Sequence, residues 1–249
     1  MTAAACLLLA LAAADAVAGG LSGWPRSRGR AALGLGAGLA VALGSSFGFA
    51  SAPVPLGWLA FAGVALVGWI GLRTLPVSEG TGWPLAWMAL AGLGLLLGIP
   101  GELTLRPAWV ETVRGSPWPG LAAASPEQVL FTAAAFAALT TTANGLVRST
   151  LALAGSNFQT AETTLLGGRL IGVLERWLIL GFVLAGEATA AALVVSAKSL
   201  VRFPELTAAR DQASQHDERP RPVDVVTEYF LLGSMTSWLL ALLPAALLR

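Results

Sequence analysis

Apolar segments of membrane-spanning length follow one another along almost the whole chain, and this pattern restricts the chain to a helical membrane fold. A bilayer core about 30 Å thick needs about 20 apolar residues per helix. The hydrophobic fraction is 55% and charged residues make up only 12%, whereas an ordinary soluble domain carries about 25% charge. We therefore predict an all-α fold, a polytopic integral membrane bundle of about eight transmembrane helices.

Glycine, proline and charged residues divide the chain into eight predicted spans. These are residues 2–21, 31–50, 55–72, 83–99, 127–154, 166–185, 187–203 and 225–248. Little more than Gly186 separates the sixth span from the seventh, so the two are expected to form a tight hairpin or a re-entrant pair. The Ser125-Pro126-Glu127 sequence predicts the start of the fifth helix.

The whole chain, 1–249, is interpreted as a single transmembrane domain with a strongly apolar half, 1–100, and a more polar half, 125–249. The polar stretches 101–127 and 204–224 are predicted to be loops, because both are too short and too poor in apolar residues to bury a core.

Arginine placement predicts the orientation, since short cytoplasmic loops carry an excess of basic residues. With both termini outside, ten arginines fall at or near the cytoplasmic face, namely Arg26, Arg28, Arg30, Arg73, Arg148, Arg169, Arg202, Arg210, Arg219 and Arg221. The abundance of arginine over lysine is typical of GC-rich bacterial genomes, so the expected location is the bacterial cytoplasmic (inner) membrane. Ala16-Val17-Ala18 also resembles a signal-peptidase site, although no basic residue precedes it.

Six charged residues lie inside the apolar run 168–203: Arg169, Glu175, Arg176, Glu187, Lys198 and Arg202. A charge at the centre of a bilayer costs at least about 2.5–3.5 kcal/mol, so such residues usually face the bundle interior or pair. Adjacent helix positions diverge by about 100°, so Glu175 is expected to meet a partner from another helix rather than Arg176. Glu187 is interpreted as a helix start, and Lys198 with Arg202 as a cytoplasmic exit.

The fifth span carries a polar stripe of Thr141, Asn144 and Arg148, spaced so that all three share one helix face. Two interpretations are open. The stripe either forms interhelical hydrogen bonds that hold the fifth to seventh spans together, or it lines a path for a substrate or an ion. Asp15, near the end of the first span, is interpreted as an interfacial or helix-packing acid.

Residue patterns that carry chemistry are missing from the sequence. The single His216 and the single Cys6 provide no metal-ligand set, no phosphate-binding glycine motif is present, and a net charge of +1 argues against nucleic-acid binding. Ser196 and Ser199 flank Lys198 but point in other directions on a helix, which disfavours Ser-Lys catalysis. No cofactor is expected, and the missing catalytic set makes an intramembrane enzyme the least favoured of the function classes.

The second half resembles the C-terminal half of an uncharacterised bacterial multi-pass membrane family. The resemblance rests on the order Gly-Arg-x-Ile-Gly-x-Leu-Glu-Arg, which is Gly168 to Arg176 here, followed by Ala197-Lys198-Ser199, Arg202-Phe203, Glu228-Tyr229 and Gly233. It covers about the last hundred residues and implies a membrane location but no activity. At Glu187 the family often has a different residue, so the resemblance implies no role for that position.

Two functions remain open. The first is a non-catalytic membrane subunit or scaffold, whose charges form a polar network of Asn144, Arg148, Arg169, Glu175, Arg176, Glu187, Lys198, Arg202 and Glu228. Its expected partners are the lipid bilayer and either another membrane protein or a second copy of the chain. The second is a small transporter or channel-like protein for an anionic or lipid-like substrate that uses Glu175 and Arg176.

Overall fold

The computed structural model describes residues 1–49, 56–75, 81–101, 103–154, 166–198, 200 and 222–248. Within these ranges the chain is helical and contains no strand, which confirms the all-α prediction. The helices are α1 (Thr2–Ala18), α2 (Arg28–Ser46), α3 (Leu56–Leu72), α4 (Trp83–Leu96), α5 (Pro107–Arg114), α6 (Pro119–Ala123), α7 (Pro126–Thr140), α8 (Thr142–Ala154), α9 (Leu166–Leu184), α10 (Ala188–Lys198) and α11 (Pro222–Leu248).

Helix boundaries follow local signals in the sequence. The Ser27 hydroxyl accepts a hydrogen bond from the Arg30 amide at the start of α2. The predicted helix start at Ser125 and Pro126 is confirmed at α7, where Ser125 and Gln128 also form a reciprocal capping box. Helix α9 ends at Leu184, and Gly186 follows it with a φ of +84°. The Glu187 amide donates back to the Phe182 carbonyl at 2.8 Å. This left-handed glycine stop allows α10 to turn back at once.

Each of the eight predicted spans contains helix, but several helices are shorter than predicted. Among the described residues, Phe230–Leu248 is long and apolar enough to cross a membrane, and the pair α7 and α8 meets the same test only if its 49° bend is accepted within one span. The polar stretch 101–127 was predicted to be a loop, and this was wrong in part, because it contains α5 and α6. Proline in the first turn starts both of these short helices.

The chain forms two compact units, Met1–Ser149 and Thr150–Arg249. Helix α7 belongs to the first unit because it packs along α1. The predicted loop 204–224 lies outside the described residues except for its last three positions, which begin α11.

Small residues allow the helices of the first unit to approach closely. A Cβ atom at Gly34 would lie 2.5 Å from the Ala14 carbonyl oxygen, and one at Gly38 would lie 2.9 Å from the Ala10 carbonyl oxygen. Helices α1 and α2 therefore pack backbone against backbone, as small-residue spacing favours in membranes. The indole of Trp58 on α3 fills the core beside them and is fully buried.

Helix α3 runs antiparallel to both of its neighbours, α2 and α4. Near the start of α3, the Trp58 indole donates to the Ala42 carbonyl near the end of α2. At the same end, Phe61 of α3 lies against Gly94 near the end of α4. We call this the α2/α4 end of the first unit. The opposite end holds the last turn of α1, the turn Gly20–Ser22 and the end of α3.

Candidate functional site

A buried ion pair joins the end of α1 to the end of α3. Asp15 lies in the last turn of α1, and Arg73 directly follows α3. Arg73 Nη1 lies 2.6 Å from Asp15 Oδ1, and each of the two side chains is only 1% exposed. The Trp69 indole donates to the other carboxylate oxygen, Oδ2, at 2.9 Å. Both oxygens of Asp15 are therefore satisfied inside the protein.

Two indole rings and a backbone carbonyl also contact the guanidinium of Arg73. Its guanidinium carbon lies 4.3 Å from the centre of the Trp69 ring and 5.4 Å from that of Trp24, distances at which a cation is attracted to an aromatic ring. Arg73 Nη2 donates to the Gly23 carbonyl. Because desolvating two charges costs several kcal/mol each, a pair this deep persists only when additional contacts of this kind compensate.

The residues of the predicted polar stripe bind the same end of the unit. The Thr141 hydroxyl, at the break between α7 and α8, donates to the Ala12 carbonyl at 3.1 Å. From α8, Asn144 Nδ2 donates to the Leu21 carbonyl at 3.2 Å, and Arg148 Nη1 donates to the Ser22 carbonyl at 2.6 Å. The predicted shared face is found for Asn144 and Arg148, whereas Thr141 precedes the helix. The partners of the stripe differ from the expectation, because these three bonds hold α1 and the turn after it rather than the sixth and seventh spans.

Two glycines make this contact possible. Gly23 has a φ of +69°, and a Cβ there would lie 2.6 Å from the Asn144 carbonyl carbon. A Cβ at Gly145 would lie 3.0 Å from Arg73 Nη2. The backbone of α8 therefore packs directly on the turn and on the guanidinium, which leaves no room for a larger residue at either position.

A second ion pair closes the hairpin of α9 and α10 in the second unit. Lys198 Nζ lies 2.5 Å from Glu175 Oε2, with the two side chains 19% and 13% exposed. The prediction that Glu175 finds its partner on another helix is confirmed. The interpretation of Lys198 as a cytoplasmic exit did not include this partner, which the hairpin brings back beside it.

Arg176 lies on a different face of α9 and is only 2% exposed. Its Nη1 donates to the Ser237 hydroxyl of α11 at 3.1 Å. The neighbouring turn leaves space for this side chain, because a Cβ at Gly172 would lie 3.8 Å from Arg176 Nη1. Glu175 and Arg176 thus serve two different helix contacts, which their 100° separation dictates.

Glu187 is the one other predicted network residue whose side chain the structure describes. Glu187 is exposed, and its carbonyl accepts from the Ala191 amide at 3.2 Å, which confirms the predicted helix start. Arg202 lies outside the described residues, and so do the side chains of Arg169 and Glu228.

The remaining residues considered for chemistry are Ser196, Ser199, His216 and Cys6. The Ser196 hydroxyl donates to the Ala192 carbonyl at 2.9 Å and is exposed, while Ser199 and His216 lie outside the described residues. In the part of the chain that the structure describes, no group of three or more His, Cys, Asp or Glu side chains gathers as a metal site. Cys6 is a buried free thiol.

The Asp15 and Arg73 pair was missed by the sequence reasoning, which treated the two residues separately. The sequence did contain a signal for this pair. Asp15 and Arg73 are single charges of opposite sign in or beside short apolar spans. In the eight-span prediction the first and third spans cross in the same direction, so the ends of both would lie at the same membrane face. Opposite charges under those conditions are expected to pair.

Comparison of the chain with protein-family models, with curated proteins and with solved structures gave no match in any of the three. The resemblance to a bacterial membrane family therefore stays a prediction, and the function is argued from the geometry alone.

Proposed function

We propose that the chain is a multi-pass integral membrane protein of the inner membrane that acts as a non-catalytic subunit or scaffold. The observation that carries this proposal is the closure of the Asp15 and Arg73 pair. Both side chains are almost completely buried, and their charges are directed at each other, at Trp69 and at the Gly23 carbonyl. A charge that served a substrate path would need access from solvent, whereas these charges hold α1, α3 and the turn between α1 and α2 together.

The membrane part of the proposal is supported by the exposed surface of the helices. Large apolar side chains point outward along α2, α3 and α4, such as Leu33, Val64, Val67 and Leu90. In water a monomer rarely exposes an apolar surface of this extent. In lipid the same surface is satisfied, which allows short apolar helices to cross in a locally thinned bilayer.

Arginine placement in the first unit supports the predicted orientation. Arg26, Arg28 and Arg30 are exposed beside the turn that Arg73 and Arg148 bind. Arg106 and Arg114 lie beyond the opposite α2/α4 end. An excess of arginine at the first end fits a cytoplasmic location for it and an external location for the α2/α4 end.

A partner surface is supported by one face of α9. Its exposed side chains recur at helical spacing and are apolar, namely Leu170, Ile171, Leu174, Trp177 and Leu178. The opposite face carries Val173, Arg176 and Ile179, which are buried within the protein. In the scaffold proposal this outer face contacts another membrane protein or a second copy of the chain.

The second candidate function is transport of an anionic or lipid-like substrate. It is favoured by one observation, which is that Glu175 and Lys198 keep 13% and 19% of their side chains exposed. An ammonium group that remains reachable can exchange its carboxylate partner for an anionic substrate group.

One experiment separates the two functions. The protein is purified from its native membranes into lipid nanodiscs, and the purified material is tested for a stoichiometric partner and, in proteoliposomes, for anion flux. The scaffold proposal predicts a partner or a dimer that is weakened by Leu174→Arg on α9 but retained in Leu90→Arg on α4, with no flux. Anion flux that is abolished by Lys198→Gln and retained in Arg114→Gln would establish the transport function instead.

A further inference from the structure

The segment from α5 to α6 is fastened to the α2/α4 end of the first unit. The Arg106 amide donates to the Gly48 carbonyl at 2.9 Å, and Arg106 Nε donates to the Phe49 carbonyl at 2.8 Å. The Trp109 indole lies across the same place, since a Cβ at Gly48 would be 3.3 Å from Trp109 Nε1. The position of α5 relative to the end of α2 is therefore fixed.

This segment packs on the protein and still exposes two large aromatic rings. Val110 and Val113 are half-buried, and α5 packs against α6 and α7. Trp109 lies against Gly48 and is still 57% exposed, and Trp118, which precedes α6, is 69% exposed. Exposed tryptophan is costly in water because its ring is large and apolar, yet its N–H is a hydrogen-bond donor.

The segment that carries the two tryptophans joins an apolar helix end to charged residues. The end of α4 exposes the apolar side chains Leu96, Leu97 and Ile99, and the described residues 81–101 contain no charge. In the segment that follows, the charged residues Arg106, Glu111 and Arg114 are exposed. Exposed tryptophan in such a segment is typical of the membrane–water interface, where one part of the indole is apolar and the other is wet.

We propose that α5 and α6 lie in the external membrane–water interface, with Trp109 and Trp118 at the depth of the lipid headgroups. The inference rests on the proposed membrane location of the chain. Helix α5 has 8 residues, which amounts to about 12 Å at 1.5 Å per residue, so it cannot cross the bilayer and lies along its surface. The phospholipid headgroup layer is the partner, because it satisfies the apolar ring and the N–H of each indole together.

Depth measurement with spin labels tests this inference. In a Cys6→Ala background, single cysteines replace Leu96, Trp109, Glu111 and Trp118 in turn, and a nitroxide is attached to each in phosphatidylcholine and phosphatidylglycerol liposomes. Collision rates with oxygen, which concentrates in hydrocarbon, and with a water-soluble nickel chelate are measured by power saturation. We expect the ratio of the oxygen to the nickel rate to be highest at 96, intermediate at 109 and 118, and lowest at 111.

The outcomes separate this inference from the membrane location itself. A ratio at 109 and 118 as low as that at 111, with 96 still in hydrocarbon, would overturn the interfacial placement while the membrane proposal stands. Low collision rates with both reagents at 109 and 118 would mean that protein covers the tryptophans, which also overturns the inference. A water-like ratio at 96 would overturn the membrane proposal.

Discussion

Replacing Asp15 with asparagine is expected to destabilise the protein strongly, because it leaves Arg73 as a buried charge without its anion. The substitution keeps the shape of the side chain and an acceptor for the Trp69 indole. In the native protein Trp69 Nε1 donates to Asp15 Oδ2 at 2.9 Å. It removes the charge that lies 2.6 Å from Arg73 Nη1, where both side chains are 1% exposed. Breaking a buried pair in this way costs about 3–5 kcal/mol.

The double variant Asp15→Leu with Arg73→Met distinguishes this explanation from a simple loss of contacts. Removing both charges also removes their desolvation cost, so the remaining penalty is that of the Trp69 N–H and the Gly23 carbonyl, which lose their partners. Groups of this kind cost about 1–3 kcal/mol each when buried. We therefore expect the double variant to be more stable than the sum of the two single variants, Asp15→Leu and Arg73→Met, predicts, by at least about 3 kcal/mol.

Reversible unfolding in mixed micelles of non-ionic detergent and SDS, followed by tryptophan fluorescence, measures these free energies. Arg114→Gln is the matched control, because Arg114 is exposed at the end of α5 and its replacement is expected to change stability by less than about 0.5 kcal/mol. The reasoning is refuted if Asp15→Asn costs less than about 1 kcal/mol, or if the effects of the two single variants add without coupling.

The same unfolding assay tests three further predictions. Gly145→Ala is expected to cost about 1–3 kcal/mol of stability, since its Cβ would lie 3.0 Å from Arg73 Nη2. Gly36→Ala is the control, because its Cβ meets nothing within 4 Å, and it should stabilise the protein by about 0.5–1 kcal/mol. Equal losses of stability at the two glycines would contradict the close packing at Gly145. Ser125→Ala removes the capping box of α7 and is expected to cost about 1 kcal/mol, whereas Ser125→Asp should retain nearly all of the stability. Glu175→Gln is expected to lower stability by about 1–3 kcal/mol, because Lys198 loses its partner. Adding Lys198→Met should recover part of this stability. If it recovers none, the pair does not stabilise the hairpin.

Local sequence signals predicted much of the helical framework. Each of the eight apolar segments contains helix in the described residues, and Ser125 and Gly186 marked helix ends through backbone chemistry that acts within a few residues. Helices α5 and α6 were not predicted, because helices of 8 and 5 residues contain too few turns to show apolar periodicity. Spacing on one helix also predicted the shared face of Asn144 and Arg148, since that is a property of the helix itself, whereas Thr141 lies at the break before α8.

Partners across the fold could not be predicted in the same way. Asp15 and Arg73 are 58 positions apart, and their contact depends on how α1 and α3 cross, which local patterns do not encode. Lys198 was assigned to an exit for a similar reason, because its role depends on where the hairpin returns along α9. The carbonyl partners of Asn144 and Arg148 lie in a turn whose shape is set by Gly23 and by the close approach of α8, both of which are tertiary features.

The most direct test of the central claim is the access of water to the charged face of α9 in the membrane. Single cysteines at Gly172 and Ile179, which flank Arg176 on the inner side of the helix, are placed in a Cys6→Ala background. They are treated in sealed vesicles with a membrane-impermeant thiol reagent from each side. A scaffold whose charges are bound internally predicts no labelling at either position from either side, while a cysteine at the exposed Arg28 is labelled. Labelling at both positions that an anionic solute blocks would contradict the scaffold and identify a substrate path.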